Sequence, residues 1–265
     1  MRLFGARALV TGASGGLGGA IARELDARGA HLVLSARRED ALERLGAQLG
    51  RWPDLIPADL AKPGAATALA ERAGRLDVLV ANAALPGSGP LDGFSAEEIG
   101  RAIAVNLAVP AQLARELLPA MLERGMGHLV FIGSLNGRVA TAGSSLYSAT
   151  KFGLRGLAAG LREDLHGTGV GVSLVSPSFV SGAGMYADTG VQLPRGVGTV
   201  TPEEVAFGVV GAVLDEKAEV NVAPLALRMG ARAAELAPRP TAALQRRLGS
   251  REIAERMARA QKDKR

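Results

Sequence analysis

Seven residues near the start, Gly12-Ala13-Ser14-Gly15-Gly16-Leu17-Gly18, constrain this chain more than any other stretch. They follow an apolar run, Arg7-Ala8-Leu9-Val10-Thr11, and lead directly into a helix-period pattern through Ile21 and Leu25. Strand, glycine-rich turn and helix in immediate succession are the opening of a β-α-β unit, and that context separates this motif from an ordinary glycine-rich turn. Glycines let the backbone approach a pyrophosphate closely, while the unpaired amides of the helix N-terminus supply donors and a favourable dipole. A dinucleotide site built on Gly12, Gly15, Gly16, Leu17 and Gly18 is the expectation.

The alternation then continues. Residues 31–35 read as a second strand, running into Ala36-Arg37-Arg38. An acidic residue there would hold a ribose 2′-hydroxyl, whereas Arg37 accommodates a 2′-phosphate, which favours NADP(H) over NAD(H). The plainer alternative is two solvated cations at a helix start, where the dipole mildly disfavours them. Leu55-Ile56 with Asp59-Leu60 look like a third strand and its exit turn, and residues 76–81 a fourth, ending at Asn82-Ala83-Ala84. One long helix is expected over about 95–124, although Asn106 interrupts its apolar face and Pro110 removes a hydrogen bond. A fifth strand at 128–132, a helix over 145–167 and a sixth strand at 170–175 follow. A weakly charged glycine-rich stretch, 182–200, has the character of a lid. Thr201-Pro202-Glu203-Glu204 starts another helix, with Thr201 as its cap, and residues 219–223 give a last strand.

Composition limits the alternatives. With 48% hydrophobic and 22% charged residues, 35 Gly and 13 Pro in 265 residues, the chain suits one α/β domain with many tight turns. That domain is expected over 1–224, with a basic helical extension over 225–265. Cysteine is absent, and His31, His128 and His166 are widely spaced, so neither a disulfide nor a metal cluster is expected. No leader-like or spanning apolar run is present, and a cytoplasmic location is expected by default. The net charge of +5 is uneven: residues 239–265 carry nine Arg or Lys against three Asp or Glu, a local +6 that leaves −1 for the rest. A body without a basic face, in a chain with 3% aromatic residues, gives no reason to expect a nucleic-acid partner.

The chemistry concentrates in Tyr147-Ser148-Ala149-Thr150-Lys151. Four residues apart on a helix, the Tyr147 phenol and the Lys151 ammonium share a face. A neighbouring cation should bring a tyrosine that titrates near ~10 down towards the range of a general acid or base. Ser134 ends the apolar run Phe131-Ile132-Gly133, where a strand presents a side chain to a cleft and can hold a substrate oxygen. A Tyr–Lys pair alone is also a common surface pairing, and Asn106 alone is most simply a satisfied buried amide.

In register, Thr11-Gly12-x-x-x-Gly16-x-Gly18, Asn82-Ala83, Asn106, Ser134 and Tyr147-x-x-x-Lys151 resemble the short-chain dehydrogenase/reductase family over roughly the first 225 residues. The resemblance implies a Rossmann-type doubly wound α/β fold, a three-layer sandwich with a seven-stranded parallel sheet. It implies hydride transfer between NAD(P)(H) and a carbonyl or alcohol. Tyr147 would be the acid/base, Lys151 would lower its pKa and bind the nicotinamide ribose, Ser134 would orient the carbonyl, and Asn106 would hold a proton-relay water. Ser14 and Arg37 match the 2′-phosphate side, Asp59 and Leu60 the adenine, and Asn82 the fourth-strand motif. Two departures stand out. Ala84 replaces a glycine beside the cofactor. After the sixth strand the chain reads Pro177-Ser178, and a threonine that contacts the carboxamide aligns with Gly182, which leaves Val180 backbone groups and the Ser181 hydroxyl to take its place.

Met185, Tyr186, Val191 and Leu193 suggest a moderately hydrophobic alcohol or ketone. An acyl-carrier-linked ketoacyl reductase is the obvious specific candidate; against it, Gly125 and Thr168 stand where such reductases carry docking arginines, although Arg124 is adjacent to the first. In the extension, Leu225, Met229, Ala233 and Leu236 fall on one helical face stopped by Pro238, and a basic helix with Leu244 and Leu248 runs to Gly249-Ser250. Packing in a homodimer or homotetramer is the preferred reading; contact of this basic amphipathic segment with an anionic membrane surface is the alternative. A different class of function, a catalytically weak NADP(H)-binding sensor or scaffold, would suit the altered nicotinamide side, since fold alone does not entail turnover.

Overall fold

Short apolar strands separated by helices can satisfy their backbone only by pairing, and strands joined by helical crossovers pair in parallel. The computed structural model describes residues 1–193, 197–247 and 250–261. The strands are β1 (Arg7–Thr11), β2 (His31–Ala36), β3 (Asp54–Pro57), β4 (Val78–Ala81), β5 (Gly127–Ile132), β6 (Val170–Pro177) and β7 (Glu219–Val222). They form one all-parallel sheet in the order β3-β2-β1-β4-β5-β6-β7. Alternating residues feed two cores, as a sheet covered on both faces requires. Val10, Leu34, Val80, Val130 and Val175 share one with α1 (Gly16–Ala27), α2 (Glu39–Gly46) and α8 (Pro202–Leu214). Leu9, Val33, Leu79, Phe131 and Leu174 share the other with α3 (Ala65–Ala73), α5 (Val109–Arg124) and α6 (Ser145–Asp164). These are the three layers and seven strands expected.

Strand order reverses between β1 and β4, which opens a crevice beyond their C-terminal ends. A threonine fixes its floor. The Thr11 hydroxyl accepts from the Asn82 and Ala83 amides, both at 3.0 Å, so the ends of β1 and β4 are held together where the glycine turn begins.

The helix expected over 95–124 is in fact divided. Ser95 and Glu98 form a capping box for α4 (Ala96–Ile103), a single π turn occupies Ala104–Ala108, and α5 then begins at Val109. Pro110 offers no N–H to the turn before it, and a wide turn accommodates that loss without ending the helix.

Three further helices follow β7 and make up the extension, α9 at Leu225–Leu236, α10 at Pro238–Arg247 and α11 at Ser250–Ala260. Pro238 ends one helix and starts the next. The face that packs inward on α9 is the small one, Ala231 and Ala234, whereas Leu225, Met229 and Leu236 are exposed, Leu236 by 88%. Charge completes the attachment. Glu235 pairs with Arg138 and Arg155 at 2.8 Å each, and both arginines also pair with Glu219 on β7. Leu248 and Gly249 lie outside the described residues, as does the side chain of Leu244. Among the described residues no helix is long and apolar enough to cross a membrane.

Candidate active site

The glycine turn is packed too tightly for side chains at two points. Gly12 has φ +66°, a conformation that favours glycine, and a Cβ on Gly18 would lie 2.8 Å from Ala13 Cα and 2.9 Å from Asn82 Nδ2. No side chain caps α1 at Gly15, which leaves the first-turn amides of Gly16, Leu17 and Gly18 available. Bare, dipole-aligned donors over a floor without side chains fit a pyrophosphate. Ala13 donates to the Ser35 carbonyl at 3.1 Å, which lays the turn along the end of β2. Ser14 and Arg37 therefore stand on the same rim, and Arg37 is exposed with no ion pair to a described residue. At the adjoining exit of β3, Ala58 donates to Ala36 at 3.0 Å, Asp59 Oδ1 accepts from Ala61 at 3.2 Å, and the Leu60 side chain is buried. Asn82 turns its amide onto the loop, donating to Thr11 O at 2.9 Å and Gly12 O at 3.3 Å.

Ser134 lies just beyond β5 in extended backbone, and its hydroxyl accepts from the Asn136 amide at 3.2 Å. The phenol of Tyr147 on α6 comes within hydrogen-bonding reach of it. Lys151, one turn further on, places its ammonium 5.6 Å from the Tyr147 ring centroid and is only 3% exposed. Four residues from three segments thus meet at the C-terminal edge of the sheet: Ser134 beyond β5, Tyr147 and Lys151 on α6 and, through the π turn, Asn106. The Asn106 carboxamide accepts from the Leu85 amide at 2.7 Å and donates to the Leu85 carbonyl at 2.9 Å. A third bond, donated by its Nδ2 to Thr150 Oγ1 at 3.4 Å, reaches α6, and Thr150 in turn donates to the Tyr147 carbonyl at 2.8 Å.

The electrostatics correct one expectation. Burial is the larger influence on Tyr147 and raises its pKa above the ordinary value, with the hydrogen bond to Ser134 pulling the other way. Burial also lowers Lys151 to about 8. In the protein alone the ammonium does not make the phenol acidic: it turns to the Ile132 carbonyl at 2.8 Å, and the loss of solvation around the phenol outweighs its charge even though Tyr147 as a residue is half-buried.

Beyond β6, Ser178 donates its amide to Val222 at 3.0 Å, and Val180 bridges Val200. The Ser181 hydroxyl donates to the Val200 carbonyl at 3.1 Å, so it is not free to replace the missing threonine. Gly182 has φ +73°, which disfavours a threonine at that place. The chain then runs over the glycine turn, where a Cβ on Gly16 would overlap Ala183, and into α7 (Gly184–Ala187). Tyr186 packs edge-on against Phe179, centroids 5.1 Å apart, and its hydroxyl donates to Val191 O at 2.7 Å. Residues 194–196 of the expected lid lie outside the described residues.

The sequence places Thr11 and Thr150 inside its motifs without a role for either, and Leu85 in none of them. Thr11 had a signal, a hydroxyl at a strand end beside Gly12; Leu85 contributes only backbone, which no side-chain pattern reveals. Among the described residues no group of three His, Cys, Asp or Glu is placed to hold a metal ion.

A family model described as short chain dehydrogenase matches residues 6–192. The ketoacyl reductase HetN of Nostoc sp. is 39% identical over 227 residues, 83% of this chain and 79% of that protein. A short-chain dehydrogenase from Sphingobium yanoikuyae in complex with NADPH superposes with a TM-score of 0.78 at 28% identity, covering 89% of this chain and 94% of its own. A metagenomic short-chain oxidoreductase in complex with NADP gives 0.70 at 35% identity, covering 84% and 99%. With the glycine turn, the seven-stranded order and these matches in agreement, the chain belongs to the short-chain dehydrogenase family.

Proposed function

We propose that this oxidoreductase transfers hydride between NADP(H) and a carbonyl or secondary alcohol, with Tyr147 exchanging the proton. The observation that carries the reading is the meeting of the Tyr147 phenol with the Ser134 hydroxyl beside a buried ammonium, at the rim of a phosphate cradle. NADPH and NADP in the two structural relatives support the cofactor, and the unpaired Arg37 supports its phosphorylated form. Gly12, Gly15, Gly16, Leu17 and Gly18 would hold the pyrophosphate, Ser14 and Arg37 the 2′-phosphate, Asp59 and Leu60 the adenine edge. Asn82 would shape the floor, and Pro177 and Val180 the nicotinamide side. The bound nicotinamide supplies or accepts the hydride.

The residues then divide the remaining work. As a carbonyl is reduced, negative charge gathers on its oxygen, and a donor and a proton must reach that atom together. Ser134 donates a hydrogen bond and Tyr147 the proton. A phenol raised by burial is held protonated at neutral pH, which suits an acid in the reductive direction. Lys151 and Asn106 complete the path by which Tyr147 is reprotonated. The apolar Met185, Phe179, Tyr186 and Val191 favour a moderately hydrophobic substrate. α6 exposes Phe152, and a Cβ on Gly156 or Gly160 would meet nothing within 4 Å, which supports a homodimer or homotetramer packed through that face.

The test is a graded panel of ketones and secondary alcohols, followed by NADPH absorbance with the native chain and with Tyr147→Phe. Turnover by the native chain alone, with NADPH binding kept in both, is expected. Equal turnover in the two, or none on any carbonyl or alcohol, overturns the reading.

A further inference from the structure

The extension does not simply trail from the body. Its last helix, α11, touches two separate parts of the cleft rim. On one side Ala254 sits against Gly143: a Cβ built at 143 would lie 2.8 Å from Ala254 Cβ. Gly143 precedes Ser144, the cap residue of α6, one turn before Tyr147, and its carbonyl accepts from Gly89 at 2.7 Å. The 85–89 loop closes over Tyr147 in turn, since a Cβ on Gly87 would lie 3.0 Å from the Tyr147 amide. On the other side Gln261, 2% exposed, donates from Nε2 to the Met185 carbonyl at 2.8 Å. Met185 belongs to α7, in the segment that runs over the glycine turn. Ala258, between these two contacts, is buried as well.

We infer that α11 is a wall of the substrate site, holding the 183–193 segment against the Tyr147 rim and so setting the room beside the reacting carbonyl. This rests on the Tyr147 reading for what the cleft does, though not for the contacts themselves. A helix that bridges both rims has to be passed by any substrate reaching Ser134 and Tyr147 from that side. The bridge is specific rather than greasy: one small side chain fits a glycine, and one buried carboxamide meets one main-chain carbonyl. A cleft of about 660 Å³ between Val191 and Gln192 on one side and Arg256 and Arg259 on the other lies along the same helix; none of Ser134, Tyr147 or Lys151 lines it, so it is not the reaction chamber. Gln261 is accordingly a positioning residue, acting through the 183–193 segment.

Two full-length variants test this, Gln261→Ala and Ala254→Leu. Hydrogen exchange of residues 183–193 should quicken by about tenfold in each, because local opening is set by the contacts that close it. KM for ketones should rise by roughly three- to tenfold with kcat and NADPH affinity kept, the pattern of lost substrate binding without lost chemistry. The ratio of KM between small and bulky ketones should also shift. Unchanged exchange and an unchanged KM profile in both variants overturn the inference, as does a uniform fall in kcat and NADPH affinity, which marks a general folding defect. Exchange needs no turnover, so failure of the Tyr147 reading, seen as full activity in Tyr147→Phe, remains distinct from failure of this one.

Discussion

The Lys151 ammonium donates a 2.8 Å hydrogen bond to the main-chain carbonyl of Ile132, which ties α6 to the end of β5. With the Tyr147 ring beside it, that bond still leaves a buried cation whose pKa falls from 10.5 to about 8 through burial. The sign of the consequence is fixed. Between about pH 8 and 10.5 the unfolded chain binds more protons than the folded one, so stability of the cofactor-free protein should rise with pH across that window. The span corresponds to a penalty on the order of 3 kcal/mol at and below pH 8. Tyr147, raised by burial, opposes this only above pH 10. Lys151→Met should therefore raise the urea midpoint at neutral pH while abolishing turnover, and flatten the rise between pH 8 and 10.5. A variant less stable than the native chain would contradict the account.

The Asn106 carboxamide pairs with both backbone groups of Leu85, and Asn106 itself is 1% exposed. Truncation to alanine would leave an amide and a carbonyl without partners, at about 1–3 kcal/mol each. Asn106→Ala should lose roughly 2–6 kcal/mol of stability, the sum of those two penalties, and Asn106→Asp less, because it keeps the acceptor for the Leu85 amide. Chemical denaturation of the three proteins measures this. Equal stability would show that the π turn does not depend on the pairing.

Arg37 offers an uncommitted guanidinium on the rim shared with Ser14. A charge-assisted bond to phosphate is worth enough that its loss should weaken NADPH by about 10- to 100-fold. NADH, lacking the phosphate, should change by no more than about twofold, within the range of a surface substitution. Fluorescence titration of both cofactors against Arg37→Ala decides. Parallel losses would place the arginine elsewhere on the dinucleotide.

What the sequence disclosed, and what it did not, follows from the range of the interactions. Parallel strands buried on both faces read as unbroken apolar runs, and Gly12 to Gly18 break the pattern where the backbone must turn, so the sheet and the cradle were legible. Ser134, Tyr147 and Lys151 were legible because a strand end and a helical spacing bring them together. The division of the long helix was legible only in part: Pro110 marks the missing N–H, but the partner of Asn106 in that turn is a backbone 21 residues away. Nor did periodicity say which side of α9 docks: Leu225, Met229 and Leu236 form the better apolar stripe, yet the ion pairs of Glu235 and the small Ala231 and Ala234 turn that stripe outward. The Tyr147 acidity was misjudged for a related reason. A neighbouring cation is visible in a sequence, whereas the burial that outweighs it is a property of the whole fold.

The same distinction governs acid stability, through a histidine outside the site. His128, on β5 and 1% exposed, meets Ser173 Oγ at 2.8 Å through Nε2, and its pKa is lowered from 6.5 to about 4, chiefly by burial. Room for the ring comes from Gly171, its register partner on β6, where a Cβ would overlap it. Below pH 6.5 the unfolded chain takes up a proton that the folded chain refuses until about 4, so stability falls as pH drops through that interval. The full shift corresponds to on the order of 3 kcal/mol. His128→Phe keeps a ring of similar size and cannot titrate, and Ser173 retains its 2.6 Å bond to the Lys217 carbonyl. Urea midpoints of the native chain should therefore fall between pH 6.5 and 4 by an amount the variant largely escapes. Parallel curves for the two proteins would mean that carboxylates alone set the acid limit.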